Sequence, residues 1–141
     1  MTAPSVTIVI PTYQRRSLVV GALRSIAALD YGGEWDVIGV IDGSTDDTRS
    51  ALEAETWPFP LGILEQENRG LAAARNAGAE RAGGDILLFL DDDMRAAPDL
   101  LHRHAEAYRG ETVAVAGWIG LDEASPPGFL AEGVGDRKSV V

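Results

Sequence analysis

The sequence predicts an α/β fold, a Rossmann-like and mostly parallel sheet flanked by helices. Two observations carry this. Short apolar runs alternate with helical patterns along most of the 141 residues, and such alternation closes into a parallel sheet with right-handed crossovers. The run Ile86-Leu87-Leu88-Phe89-Leu90 has no polar break, as a strand buried on both faces inside such a sheet would require. Directly behind it stand Asp91, Asp92 and Asp93, just past the strand's carboxyl end, where open α/β sheets bind ligands.

Each element follows from its local text. Residues 6–11 (VTIVIP) read as the first strand, and residues 17–28 as a helix whose buried face can draw on Leu18, Val19, Leu23 and Ile26. Residues 37–41 read as the second strand. A weaker helix spans 45–55, with Ser44 or Thr45 as its cap. The breaker run Trp57-Pro58-Phe59-Pro60 precedes a short third strand at 61–64. Residues 71–82 form a helix rich in alanine and glycine, and side chains that small let a helix lie close to a sheet. Gly83 and Gly84 end it. After the fourth strand comes a helix starting near Pro98, a favoured first-turn proline, with Leu101, Ala105 and Tyr108 on one face. Residues 113–116 read as a fifth strand. Residues 1–121 are thus expected to form one domain, and 122–141, which carry Pro126-Pro127-Gly128 and no periodicity, an irregular tail.

Hydrophobic residues make up 45% and charged residues 24% of the chain, ordinary for a globular domain able to bury a core. A formal net charge of −10 excludes a nucleic-acid or anionic-lipid binder without a basic stripe, and none is visible. No apolar run is long enough for an integral membrane segment, and the first residues lack the basic n-region of a signal peptide. With no cysteine, disulfides and thiolate zinc sites are impossible. The expected location is the cytoplasm, and loose attachment at a membrane surface is compatible with it.

Two like charges about 5 Å apart repel by roughly 3 kcal/mol at an effective dielectric near 20. Three adjacent carboxylates are therefore poor scaffold. A divalent cation, Mg²⁺ or Mn²⁺, would convert the repulsion to attraction and could grip a diphosphate. The loops after the first, second and fourth strands should converge on one sheet edge. They bring Pro11, Thr12, Tyr13, Gln14, Arg15 and Arg16, then Asp42 to Asp47, then the three aspartates, with Glu67-Asn68-Arg69-Gly70 alongside. An aromatic ring, acids and arginine around a metal-like cluster suit a phosphate-bearing nucleotide. Asp46 and Asp47 read instead as first-turn acids favouring a helix dipole. Arg75 divides evenly between a surface and a site role. His102 and His104, two apart on a helix, make a poor metal pair and read as structural or exposed.

The segments VTIVIPTYQRR, VIDGSTDDT and ENRGLAAARNAGAERAGGDILLFLDDDM resemble, in order and approximate spacing, the nucleotide-sugar-binding portion of a family 2 glycosyltransferase of the GT-A fold. The resemblance covers about residues 5–117. It implies that Pro11, Thr12 and Tyr13 line the base pocket and that Asp42 bonds the base or ribose. It places Arg69 and Gly70 against the nucleotide. The metal motif maps onto Asp91 and Asp93, with Asp93 the direct ligand and Asp91 nearer the ribose; Arg15 and Asp92 complete the donor site. The implied reaction is inverting and metal-dependent, from a nucleoside diphosphate sugar, UDP-linked by expectation, to an unidentified acceptor: a saccharide, a lipid carrier or a small molecule.

Two departures qualify the match. The family usually reads acid-variable-Gly-Ser where this chain has Ile41-Asp42-Gly43-Ser44, so either one residue is deleted or Ile41 replaces an acid. The acceptor half and its general base lie beyond the metal motif in the family, so the base is expected past the chain's end; Glu123 and Glu132 lack the family's acidic-pair context. Activity of so short a chain alone is accordingly an open question. The alternative is a non-catalytic nucleotide-binding module or pseudo-enzyme. A nucleotidyltransferase would need a glycine-rich first loop, and a dinucleotide-binding domain a GxGxxG after the first strand; neither is present. An exposed fifth strand and an uncovered apolar face predict self-association.

Overall fold

The computed structural model describes residues 2–108 and residue 114. Chain contacts divide the protein into one unit spanning residues 1–105, which holds the whole sheet, and another from residue 106 onward. The predicted fifth strand at 113–116, Glu123, Glu132 and the tail from 122 lie outside the described residues, residue 114 excepted.

The elements run β1 (Val6–Thr12), α1 (Arg16–Ile26), β2 (Trp35–Asp42), α2 (Thr48–Ala54), β3 (Leu61–Gln66), α3 (Leu71–Arg81), β4 (Ile86–Phe89) and α4 (Leu100–Ala107). Among the described residues four parallel strands form one sheet in the order β3-β2-β1-β4. The chain thus builds outward from β1 to β3 and then returns to β1's other side. The strand order reverses between β1 and β4, which creates a crevice at their carboxyl ends.

β1 is buried along its full length, because it is paired on both edges and covered on both faces. Its alternating side chains supply two cores. On one face Val9 joins Ile38, Val40 and Ala74, with Leu64 and Phe89 packed against them. Here α3 lies on β1 and β2. The approach is close because Gly78 has no side chain: a Cβ there would fall 2.3 Å from Val9 Cγ1. Gly39 opens toward the other face, where an added Cβ would meet Leu52 of α2 at 3.7 Å. α1 contacts α2 and buries Val19, Ala22, Leu23 and Ile26. Thr7, fully buried in β1, is satisfied by donating to Asp36 Oδ1 at 2.7 Å and accepting from the Gly84 N–H at 3.0 Å.

Three readings are corrected. β4 is the sheet edge among the described residues, so Leu87 is 37% exposed rather than buried on both faces. α2 starts at Thr48, not at residue 45, because the Ser44 and Thr45 hydroxyls are engaged by Gln14. Asp46 and Asp47 therefore precede the first turn. Asp46 accepts from the Thr48 N–H and hydroxyl, and Asp47 pairs with Arg16 at 3.1 Å. His104, expected to be structural or exposed, is buried on α4 with Leu101, as a structural residue would be. Among the described residues no helix is long and apolar enough to cross a membrane.

Candidate functional site

The carboxyl ends of β1, β2 and β4 open into a cavity of about 470 Å³. Pro11, Thr12, Tyr13 and Arg15 line it from the first loop, Asp42 from the second, and Asp91, Asp92 and Asp93 from the turn after β4. Asn68, Gly70, Leu71 and Ala74 close the remaining side. Of the residues assigned to the donor site from the sequence, only Arg69 does not line this cavity; its main-chain N–H is turned to Asp42.

Asp42 ends β2 and is almost fully buried. Its Oδ1 accepts from Gln66 Nε2 at 2.8 Å and the Arg69 N–H at 2.9 Å, and its Oδ2 from the Gly70 N–H at 2.9 Å. Burial pushes this carboxyl up, but the three donors outweigh it and hold it below the usual carboxylate range. The main-chain carbonyl of Asp42 also accepts from Asn68 Nδ2 at 3.1 Å. One residue thus fastens β2 to the segment that starts α3. Gly43 permits this contact: its φ is +76°, and a Cβ would stand 2.5 Å from the Asn68 nitrogen. Ile41, directly before Asp42, is a buried core residue.

The three adjacent aspartates diverge. Asp92 points inward, its side chain only 6% exposed. It accepts from the Thr12 hydroxyl at 2.8 Å and from Arg15 Nη1 at 3.2 Å. Burial pushes its carboxyl up, in spite of Thr12 and Arg15. Asp91 and Asp93 are about half exposed. Arg15 reaches Asp93 at 3.7 Å, and Arg75 Nη2 donates to Asp91 Oδ1 at 2.7 Å. The Arg75 guanidinium carbon lies 5.9 Å from the Phe89 ring centre. Its Nε is buried with no acceptor among the described residues.

The donor set fits a hard divalent cation. Among the described residues no three acidic or histidine side chains gather into a ready-made cage. Two exposed carboxylates on one cavity suit Mg²⁺ or Mn²⁺, which keep waters and complete their shell with phosphate oxygens. Asp91 and Asp93 would hold such an ion, while Asp92 braces the turn that carries them.

The first two loops are laced together by Gln14. Its N–H donates to Ser44 Oγ at 2.9 Å and its side-chain Nε2 to Thr45 Oγ1 at 2.7 Å. Its Oε1 accepts from the Thr45 and Asp46 N–H groups. Gln14 has φ +52°, the one described non-glycine residue with positive φ, a backbone state held only where the surroundings insist on it. Tyr13 beside it stays 48% exposed at the cavity mouth. Sequence reading quoted Asn68 without assigning it a role and missed Leu71, which is 52% exposed at the start of α3. An apolar residue directly after a glycine N-cap was the available signal for Leu71.

Comparison with known proteins places the chain in a family and a fold. A profile described as glycosyl transferase family 2 matches residues 7–128. An uncharacterized glycosyltransferase, YfnE, of Bacillus subtilis (strain 168) is 39% identical over 106 residues, covering 74% of this chain and 27% of that protein. The mannosyltransferase PcManGT from Pyrobaculum calidifontis, solved in complex with GDP-Man and Mn²⁺, matches with a TM-score of 0.69 and 34% identity over 75% of this chain and 33% of that one. S. aureus TarS 1-349, solved in complex with UDP-GlcNAc, matches with a TM-score of 0.67 and 28% identity over 72% and 30% of the two chains. The chain therefore spans about a third or less of the length of these relatives.

Proposed function

The chain belongs to glycosyl transferase family 2, and on that premise we propose that it carries the donor- and metal-binding part of an inverting, metal-dependent glycosyltransferase. The donor in this reading is a nucleoside diphosphate sugar, with uridine as the base. One observation carries it: two exposed carboxylates, Asp91 and Asp93, share a cavity with an aromatic mouth at Tyr13 and a fastened acid at Asp42.

Each group has work suited to its setting. Pro11, Thr12 and Tyr13 form the wall for the base. Of the four acceptor positions of a carboxylate, described donors fill three at Asp42, which leaves one on Oδ2 for a base or ribose donor. The Gly70 end of α3 adds the positive end of a helix dipole to the cavity. Arg15 supplies positive charge beside Asp92 and Asp93. A bound cation would act as a Lewis acid toward the leaving diphosphate. The acceptor hydroxyl attacks the anomeric carbon from the face opposite the leaving oxygen, and the general base that takes its proton is expected outside the described residues. The acceptor itself, a saccharide, lipid carrier or small molecule, is not specified by this cavity.

Calorimetric titration of the chain with UDP and with GDP, each with and without Mn²⁺, tests the proposal. UDP binding that needs Mn²⁺ supports it in full. Preference for GDP overturns the choice of base, and metal-independent binding overturns the metal role. No binding by a folded sample overturns the donor site.

A further inference from the structure

An arginine outside the cavity lining touches its wall through Asp91 and has no part in the proposed donor site. Arg75 sits on α3 and places Nη2 2.7 Å from Asp91 Oδ1, one of the two carboxylates assigned above to the cation. A guanidinium at that oxygen and a divalent cation at the same oxygen repel each other, so the two compete. The existing pair is one-armed: Arg75 meets Asp91 through Nη2, while Nε is buried without an acceptor. Bidentate pairing, the strong mode for arginine and carboxylate, is not reached. The pair is thus close enough to block Asp91 and incomplete enough to be given up.

We propose that Arg75 is a positioning residue that holds Asp91 against a lone cation and releases it when a diphosphate arrives, making cation binding conditional on the nucleotide. The inference rests on the donor-site reading. A diphosphate brings negative charge to the cavity, which offers Arg75 a replacement for the partner it loses. Arginine suits this exchange because its planar fork accepts carboxylate and phosphate alike. Asp93 faces a weaker version of the same competition, with Arg15 at 3.7 Å and Arg15 already engaged by Asp92. The consequence is positive coupling between cation and nucleotide, equal in both directions.

The test is a Mn²⁺ titration followed by electron paramagnetic resonance, with and without UDP, on the full chain, Arg75→Gln and Arg81→Gln. Arg81 lies at the other end of α3, so its variant removes the same charge away from Asp91. Arg75→Gln should bind Mn²⁺ without nucleotide about tenfold more tightly than the parent, within the usual range for coupled sites. The gain in Mn²⁺ affinity on adding UDP should shrink correspondingly. Arg81→Gln should match the parent. Equal Mn²⁺ affinity in the folded parent and Arg75→Gln overturns the proposal, and an equal rise in both variants reduces it to net charge and also overturns it. If Arg75→Gln does not fold, Arg75→Met carries the same test, since it keeps an apolar stem for packing and removes the charge from Asp91. A parent that binds neither Mn²⁺ nor UDP sinks the donor-site reading and this inference with it. A parent that binds both, with unchanged affinity in the variant, sinks this inference alone.

Discussion

Asp42 is a carboxylate with two tasks, and the structural one is measurable. Its oxygens take the N–H groups of Arg69 and Gly70, so Asp42→Asn would turn an amide N–H₂ toward one of those donors. Leaving a buried donor unsatisfied costs about 1–3 kcal/mol, and urea unfolding should show a midpoint lower by the corresponding amount. Asp93 differs, being half exposed, with Arg15 at 3.7 Å. Asp93→Asn should therefore leave the fold intact while Mn²⁺-dependent UDP binding falls at least about tenfold, as expected from losing a charged ligand group; calorimetry that shows undiminished binding would remove Asp93 from the metal role. The sequence displayed all three adjacent acids but not their divergence. Asp92 is drawn inward by Thr12, 80 residues earlier, and no local pattern encodes a contact that long. Arg75 was ambiguous for the same reason, since its partner Asp91 lies 16 residues away on a different element.

Among the elements, α3 shows what its alanines and glycines are for. Gly78 lets the helix sit on β1 and β2, and a methyl there would meet Val9 at 2.3 Å and Val40 at 3.1 Å. Alanine's higher helix propensity would contribute about 1 kcal/mol, yet overpacking a core costs about 1–3 kcal/mol. The second term should win, because the colliding atoms are buried, branched and backed by the sheet. Gly78→Ala is expected to lower Tm by several degrees, measured by circular dichroism. The order and type of the four described strands and helices were legible because each has its own period and breakers. The start of α2 was not. Ser44 and Thr45 carry the right hydroxyls for a cap, but Gln14, some 30 residues upstream, claims both.

For the molecule as a whole, acid stability should be set first by His104. Burial holds its imidazole below the ordinary value of 6.5, so the unfolded chain binds a proton that the folded chain resists. Stability is therefore complete above about pH 6.5 and declines as pH falls toward the folded value, the sign required where the unfolded state binds more protons. Asp42, held low, adds a loss only below its unfolded value of 3.8. Asp92, held high, acts oppositely: its protonation relieves a buried charge and favours the fold as pH falls toward 3.8. The urea midpoint should thus be lower at pH 5.5 than at pH 7.5, and His104→Leu should flatten that difference.

The lacing at Gln14 fixes where the cavity can still adjust. Because one strained residue ties the first two loops together through four hydrogen bonds, that wall is preorganised, and ordering it adds little entropy cost to association. Adjustment on binding is expected instead at the turn of residues 91–94, which carries the proposed cation ligands and is closed by the Met94 N–H to Asp91 carbonyl bond at 3.1 Å. In a deuterium-exchange experiment the amides of Gln14, Thr45 and Asp46 should be protected before a nucleotide is added and hardly change afterwards. Those of residues 91–94 should start faster and slow on binding. One side of the cavity then sets which ligand fits, and the other sets how long it stays.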